Sequence, residues 1–490
     1  MNRFRLNHLG VLPGIFSVLD SDMTSVAQAL AGTLAAYGTE DLKQAYLGKL
    51  ISGEWMGTMQ LTEPQAGSDV GALRTKAERA TDGSYRITGQ KIFITYGEHD
   101  LTDNIIHFVL ARLPDAPLGN KGISLFLIPK FLLKPDGAPG ARNDLRAHSV
   151  EHKLGIHASP TCTMVFGDEG GAVGYLVGEA NRGLACMFTM MNLARLSVGL
   201  QGVGIAERAT QQALGYARDR KQGRASGSNG SSPIIAHPDV KRMLMTMRGL
   251  TQAARAISYA TAIAIDRSHL AKTEPEREAA NARASLLTPV AKAFSTDIGI
   301  EVASLGVQVH GGMGFIEETG AAQHYRDARI AAIYEGTNGI QAIDLVTRKA
   351  PLNGGATVNA YLDELRKSVE HVRAANDPAF GLTAKRLEDA IASLDRSTQW
   401  ILAQLGKNPD AALAGATIYL RMFAHAAGGC MLAEEALTAS RSGNGADNAA
   451  DRIALARFFA ETIAVQSPSM EVSMTESADA VTGASLSGAA

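Results

Sequence analysis

Glu335 stands alone between Tyr334 and Gly336 in "AAIYEGTNGIQAIDL" (Ala331–Leu345), behind an apolar run and ahead of a helix start. A carboxylate in apolar surroundings is costly unless it is paired, or unless its shifted pKa serves a proton transfer. For one glutamate taken singly, a solvated loop position is the simpler explanation. Asn338 followed by Gln341 resembles a capping box, which places Glu335 on the loop just before a helix N-terminus, with Ile340, Ile343 and Val346 as the core stripe. Gly336 leaves room for a reactant to approach the carboxylate, and Asp327 between Arg326 and Arg329 reads as a structural ion pair.

Other stretches carry groups of comparable interest. In "LTEPQAGSD" (Leu61–Asp69), Pro64, Gly67 and Ser68 make a tight loop whose backbone N–H groups, with the Thr62 and Ser68 hydroxyls, could receive a polar ring edge or a phosphate. A plain turn explains the same letters. "QKIFIT" (Gln90–Thr95) alternates, so Ile92 and Ile94 face one side of a strand and Phe93 and Thr95 the other. An aromatic beside a hydroxyl could stack on and bond to a planar ring, and a half-buried core strand fits equally. "QVHGGMGF" (Gln308–Phe315) ends a helix in glycines that let the backbone approach a ligand; a simple helix stop is the alternative. His310 has no second His or Cys at metal spacing, so it reads as a satisfied histidine and no metal is expected. Met187, Met190 and Met191 read as core filler.

Several elements must position these groups. At ~100–200 residues per domain, the 490 residues suggest two to four domains. Apolar residues are 46% and charged residues 20%, with 47 basic against 49 acidic side chains, so no basic excess favours nucleic acid. Cys162, Cys186 and Cys430 form no CxxC pair, as in a reducing compartment. There is no run of 18 apolar residues for a membrane span, and "MNRFRLNHLGVLPGIFSVLDSDM" is a poor signal peptide because Pro13, Asp20 and Asp22 interrupt it. A cytoplasmic protein is expected.

Met23 to Ile51 reads as helical, with Thr39 as a cap. From about Thr58 to Asp168 come short runs rich in Ile, Val, Phe and Thr, which argue for an antiparallel barrel or sandwich. Helical periodicity returns over Leu184–Arg220, Asp239–Ser268, Glu274–Val309 and Asn338–Asn376, the pattern of a four-helix bundle. The Gly/Ser-rich Lys221–Pro238 joins the first two, and an Ala-rich helical block fills Leu382 to Val465. The expected fold is therefore α+β. It comprises a short helical segment (1–55), a central β-domain (56–175), a four-helix bundle (176–350), an extra helical domain (351–465) and a flexible tail (466–490). No GxGxxG follows a strand, no P-loop occurs, and "GVGIAE" (Gly202–Glu207) is helix packing, so a nucleotide cofactor would be held some other way.

Taken together, "LTEPQAGSD", "GQKIFITYG", "GEANRGLACMFTMMNLARLSVGLQGVGIAE", "QVHGGMGF" and "RDARIAAIYEGTNGIQ" resemble the acyl-CoA dehydrogenase family of flavoenzymes, in family order, over roughly Ser25 to Lys349. "TYGEHD", "KLGIHASPTC" and the block after Lys349 resemble the large bacterial subfamily that includes 3-(methylthio)propanoyl-CoA dehydrogenase. The resemblance implies α,β-dehydrogenation of an acyl-CoA thioester to the trans-2-enoyl-CoA, with FAD accepting a hydride at N5 and passing electrons to an electron-transfer flavoprotein, in a homodimer or homotetramer. It makes Glu335 the base that removes the α-proton. Met59, Leu61, Thr62, Gly67 and Ser68 would line the flavin, with Phe93, Ile94 and Thr95 as the second flavin segment. Arg220, Gln308, Gly311, Gly312, Thr337 and Asn338 would hold the adenosine half, partly from a neighbouring subunit. Ser68, Asn192, Arg195, Tyr334 and Gly336 would meet the substrate, with Arg195 near the base.

Three departures from the family pattern stand out. Only about sixty residues precede the TEP motif, where the family has a longer helical domain that walls the acyl pocket. Pro238 stands where many relatives carry a flavin-binding glutamine, and Gly339 replaces a polar residue. Each removes at most one cofactor hydrogen bond, worth ~0.5–1.5 kcal/mol. An acyl-CoA oxidase and a catalytically dead flavoprotein scaffold are the competing readings.

Overall fold

Ten strands and a mainly helical remainder make up the computed structural model, which describes residues 29–441 and 446–485 apart from the side chains at 189, 190, 192, 193, 446 and 447. The chain divides into two units, Met1–Ser197 and Val198–Ala490.

In the first unit, helical turns over 29–37 and 40–52 precede the strands. Thr39 caps the second of these by accepting from the Leu42 N–H, as its sequence suggests. The strands are β1 (Met56–Gln60), β2 (Lys76–Arg79), β3 (Tyr85–Thr95), β4 (Ile105–Ala111), β5 (Ser124–Pro129), β6 (Phe131–Leu133), β7 (Pro139–Arg142), β8 (Leu145–Val150), β9 (Thr161–Phe166) and β10 (Ala172–Val177). Eight of them form one sheet, with the path β1-β4-β5-β10-β3-β9-β8 and β2 on the flank of β3; β6 and β7 pair separately. The path has two ends, so the sheet is a curled sandwich and not a closed barrel. One pair departs from the antiparallel expectation: β1 runs parallel to β4, Met56 opposite Ile105 and Gln60 opposite Val109. That pairing needs a long crossover, here the chain through β2 and β3, and no local pattern announces it.

β4 and β5 are buried on both faces. Ile106, Phe108, Leu110, Leu125 and Leu127 meet the N-terminal helical side chains Leu30, Leu34 and Tyr46 and, from the bend that follows, Trp55. Val109, Phe126 and Ile128 face Ile87, Ile94, Cys162, Met164 and Phe166 from the strands that curl over them.

The two units meet in sequence within the first bundle helix, Gly183–Asp219. In the second unit follow Pro238–Leu270 and Glu274–His310, within a residue or two of their expected ranges. Thr273 and Glu276 close a capping box on the third. Gly199 and Gly202 lie where a Cβ would strike the backbone of Ala291 and Ser295, so "GVGIAE" is a close helix crossing, as read. The expected fourth helix is broken. Asn338–Asp344 continues as a π-helical turn (Leu345–Lys349) and stops at Pro351, where Asn353, Gly354 and Gly355 turn left-handed before Ala356–Ala375 begins. Pro351 cannot donate to the preceding turn, and the Asn-Gly-Gly run tolerates the reversed φ.

The extra helical region holds Thr383–Leu405, Ala416–Arg441 and Ala446–Thr462. The flexible tail expected from Gln466 is replaced by helices Ser467–Glu476 and Ala478–Thr482. Met474 is buried against Gly415, and Arg396 Nη2 lies 2.6 Å from a Glu471 carboxylate oxygen; long-range contacts of this kind hold a segment whose composition alone would fray. Among the described residues no helix is long and apolar enough to cross a membrane.

Candidate functional site

Each unit holds some of the residues singled out in the sequence. In the first, β1 leads into Leu61–Thr62 and a tight turn in which the Glu63 and Ala66 backbones bond each other (3.0 and 3.1 Å). Met59 and Leu61 are partly buried against the core, Thr62 is half-buried, and Gly67 and Ser68 are exposed. The stretch expected as a second flavin segment lies directly alongside, since the Ile92 N–H donates to the Thr62 carbonyl at 2.9 Å.

Here the structure shows two residues that sequence reasoning missed. Lys91 is completely buried, and its Nζ donates to the Leu61 carbonyl (3.0 Å) and to Glu63 Oε1 (2.8 Å). Glu63 also accepts from the Thr75 hydroxyl (2.6 Å), the Thr75 N–H (3.0 Å), the Arg74 N–H (2.6 Å) and the Gln65 amide (2.7 Å). Burial would raise the Glu63 pKa, but Lys91 and these donors outweigh it and hold the carboxyl at about 2. Burial lowers Lys91 to about 8, against the pull of Glu63. The available signal was a charged residue inside an apolar strand, "QKIFIT", matched to the acid of the preceding motif.

The simple alternation read for that strand does not hold. The β3–β9 register shifts between Lys91 and Ile94, and Phe93 sits in the bulge at φ 61° with its ring 61% exposed. Ile94 is buried and Thr95 half-buried. A bulge re-aims a side chain at the price of local strain. An exposed aromatic held on a strained turn could stack on a planar ring. Arg195 is buried, and the Asn192 side chain lies outside the described residues.

In the second unit, the loop that carries Glu335 follows a short helix (Ala321–Ala328) and a 3₁₀ turn (Arg329–Ala332). Glu335 is half-buried and left-handed at φ 55°, and Gly336 follows at φ 85°. The Tyr334 hydroxyl bonds Gln201 Oε1. Thr337, not Asn338, caps the next helix, accepting from the Ile340 N–H at 3.2 Å. Asn338 instead reaches the third bundle helix: its Nδ2 donates to Ala293 O (3.1 Å), Thr296 Oγ1 (2.9 Å) and Asp297 Oδ1 (2.7 Å). Its side chain is thereby committed, and any share of cofactor binding falls to its backbone. Burial raises the Asp297 pKa. The buried Gln341 donates to the Glu335 carbonyl at 3.4 Å, which replaces the capping-box role read for it. Ile343 is exposed and Ile340 half-buried, while Ala342, Leu345 and Val346 are buried, so of the expected stripe only Val346 lies in the core.

Beneath this loop lies Lys292, completely buried, whose Nζ donates to the Gly336 carbonyl at 2.8 Å and to Asn338 Oδ1 at 2.9 Å. It too went unnoticed in the sequence, where "AKAF" is an ordinary helical tetrad.

Gln308, Gly311 and Gly312 are exposed at the end of the third bundle helix, and Gly311 turns left-handed at φ 60° with open space where a side chain would stand. Arg220 is exposed as well, its carbonyl accepting from the Ile234 N–H at 2.8 Å. His310 is buried, donates from Nδ1 to the Gly306 carbonyl at 2.7 Å and stacks on Tyr216, a satisfied histidine as read. Arg326 pairs with Glu317 at 2.8 Å, and Asp327 accepts from the Gln323 amide at 3.3 Å. Among the described residues no group of three His, Cys, Asp or Glu could hold a metal ion.

Three family profiles match the chain: acyl-CoA dehydrogenase middle domain over residues 58–168, acyl-CoA dehydrogenase C-terminal domain over 181–349, and acetyl-CoA dehydrogenase C-terminal like over 361–485. The chain is 47% identical to 3-methylmercaptopropionyl-CoA dehydrogenase of Ruegeria pomeroyi, across 92% of this chain and 77% of that protein. It is 39% identical to a butyryl-CoA dehydrogenase of Syntrophomonas wolfei, across 76% of this chain and 62% of that one. In fold it is similar to Caenorhabditis elegans ACDH-11 in complex with C11-CoA (TM-score 0.77, 22% identity, 92% of this chain and 73% of that chain). It is also similar to an acyl-CoA dehydrogenase complexed with FAD from Bacillus anthracis (TM-score 0.73, 22% identity, 90% and 72%).

Proposed function

The chain belongs to the acyl-CoA dehydrogenase family, and from that premise we propose that it dehydrogenates an acyl-CoA thioester to the trans-2-enoyl-CoA with Glu335 as the base. The observation that carries the assignment is the Glu335–Gly336 turn: two successive left-handed residues, the first of them not glycine, at the mouth of a helix. Strain of this kind persists where the surroundings enforce it, commonly at functional sites.

Glu335 takes the α-proton, and Gly336, without a side chain, leaves space for the thioester. The Glu335 backbone N–H polarises the thioester carbonyl as negative charge develops on its oxygen. Met59, Leu61, Thr62, Ser68, Phe93 and Thr95 are the residues that would hold the flavin ring, and Arg220, Gln308, Gly311, Gly312 and Thr337 those that would hold an adenosine half, partly that of a neighbouring copy. FAD held there would supply the acceptor for the hydride that leaves Cβ. A cytoplasmic homo-oligomer that hands electrons to an electron-transfer flavoprotein completes the reading, and the exposed Met313, Phe315 and Ile316 beside Gly311 suit an interface between copies. Identity to the Ruegeria relative favours 3-(methylthio)propanoyl-CoA as substrate.

The test is an anaerobic titration of the purified yellow protein with 3-(methylthio)propanoyl-CoA, butanoyl-CoA and longer acyl-CoAs, following flavin absorbance. One of these should bleach the wild type. Glu335→Gln should stay yellow and unbleached, and bleaching at the wild-type rate would remove Glu335 as the base.

A further inference from the structure

Lys292 poses a question that the reaction itself does not answer. A lysine with no exposed surface loses its hydration, and a chain keeps such a charge only where fixed dipoles or an opposite charge replace the water. The replacement here is specific. Two of its bonds go to the Gly336 carbonyl (2.8 Å) and to Asn338 Oδ1 (2.9 Å), and Asn338 in turn donates to Asp297 at 2.7 Å. A buried ammonium and a half-buried carboxylate, five residues apart on one helix, are thus joined through the amide of a residue on the loop that bears Glu335. The Thr296 hydroxyl adds a bond to Asn338 Oδ1 at 3.2 Å.

The consequence is geometric. Glu335 is not glycine, yet it holds φ 55°, a conformation that crowds Cβ against the following carbonyl. The next peptide, between Gly336 and Thr337, has its carbonyl oxygen tied to Lys292, and the residue after that is tied to four groups on the third bundle helix. With these two anchors in place just C-terminal to it, the chain cannot relax Glu335 to the right-handed region without breaking charge-assisted bonds, which are the strong ones.

We propose that Lys292 is a positioning residue for the reaction: it acts through the Gly336 carbonyl and Asn338 to keep Glu335 in its left-handed conformation and so to aim the carboxylate. This rests on the reading of Glu335 as the base. Loss of the anchor lets the loop populate the relaxed conformer, so the proton-transfer step should slow by about five- to thirtyfold, the factor by which a left-handed non-glycine residue is ordinarily disfavoured. Binding of FAD and acyl-CoA should be little changed.

The experiment is stopped-flow reduction of the flavoprotein by butanoyl-CoA and by 3-(methylthio)propanoyl-CoA, in wild type, Glu335→Gln and Lys292→Met. Each variant is measured for FAD content, thiol-ester dissociation constant and the limiting rate constant of flavin reduction, with hydrogen exchange of the amides at 335–338 as a readout independent of turnover. Lys292→Met should retain FAD and bind acyl-CoA within threefold of wild type, show faster exchange at 335–338, and lose at least fivefold in the limiting rate constant. A smaller loss in the rate constant, or a defect confined to FAD content or to the dissociation constant, overturns the proposal. Should Lys292→Met fail to fold because Asp297 is left unbalanced, Lys292→Met/Asp297→Asn removes both charges together and is held to the same criteria. Failure of the underlying reading is separately visible: Glu335→Gln would then reduce its flavin at the wild-type rate, whatever Lys292→Met does.

Discussion

Replacing Lys91 by methionine removes one charge from the buried pair that ties the Leu61–Asp69 turn to strand β3. Lys91 has no exposed surface and Glu63 almost none, so the carboxylate left behind cannot recover its lost partner from water. Breaking a buried pair by deleting one member costs about 3–5 kcal/mol. Glu63 retains donors from Thr75, Arg74 and Gln65, so the lower end applies, about 3 kcal/mol. Adding Glu63→Gln removes the orphaned charge, and the double variant should return to within about 1 kcal/mol of the parent, as pairs replaced whole are often neutral. Urea unfolding of the four proteins of this cycle at pH 7 measures it. The pH dependence supplies the sharper check. In the parent, Glu63 is held at about 2, below its unfolded value, so its contribution is present at neutral pH and is lost only as pH falls through that value. In Lys91→Met the main force lowering it is gone while the burial that raises it remains, so Glu63 takes up a proton at higher pH and the deficit of the variant should shrink as pH is lowered through about 5. A Lys91→Met deficit that stays constant from pH 8 to pH 4.5, or a double variant no better than the single, would refute the view that an uncompensated carboxylate is the cause.

Three further outcomes follow from the same structure. His425, fully buried between Phe294 and Phe459 with neither ring nitrogen bonded, is pushed by burial down to about 3. It stays neutral in the folded protein while the unfolded chain binds a proton below about 6.5, so stability present above that pH is lost on acidification, by about 2 kcal/mol at pH 5. His425→Leu should flatten the stability profile between pH 6.5 and 4.5, measured by urea midpoints. Phe93→Gly should stabilise the apoprotein by about 1 kcal/mol, because glycine accepts φ 61° freely, and at the same time weaken FAD retention, read from thermal melts with and without added FAD. Gly202→Leu should destabilise the second unit by about 3 kcal/mol or prevent its folding, since the side chain would meet the Ser295 backbone; a melting temperature within 2 °C of the parent, where roughly 1 kcal/mol moves Tm by about 2–4 °C, would exclude that close crossing.

Much of this protein is readable along the chain because the information is local. The three long bundle helices follow from their periodicity, Thr39 from its capping position, and Glu335 from the letters around it. Residues within a few positions of each other settle such features. The parallel seating of β1 on β4, the helical course of Ser467–Thr482 and the break before Ala356 depend on partners far away in sequence or on a turn whose conformation competes closely with helix. The same division runs through the candidate site. Glu335, Thr62 and Phe93 stand in recognisable stretches, whereas Lys91 and Lys292 look like ordinary members of a strand and a helix until the fold brings Glu63 to one and the Gly336 carbonyl to the other. A buried charge is defined by what surrounds it, and only the tertiary structure assembles those surroundings; the sequence could specify the carboxylate, but the packed helix beneath its loop decides where that carboxylate points.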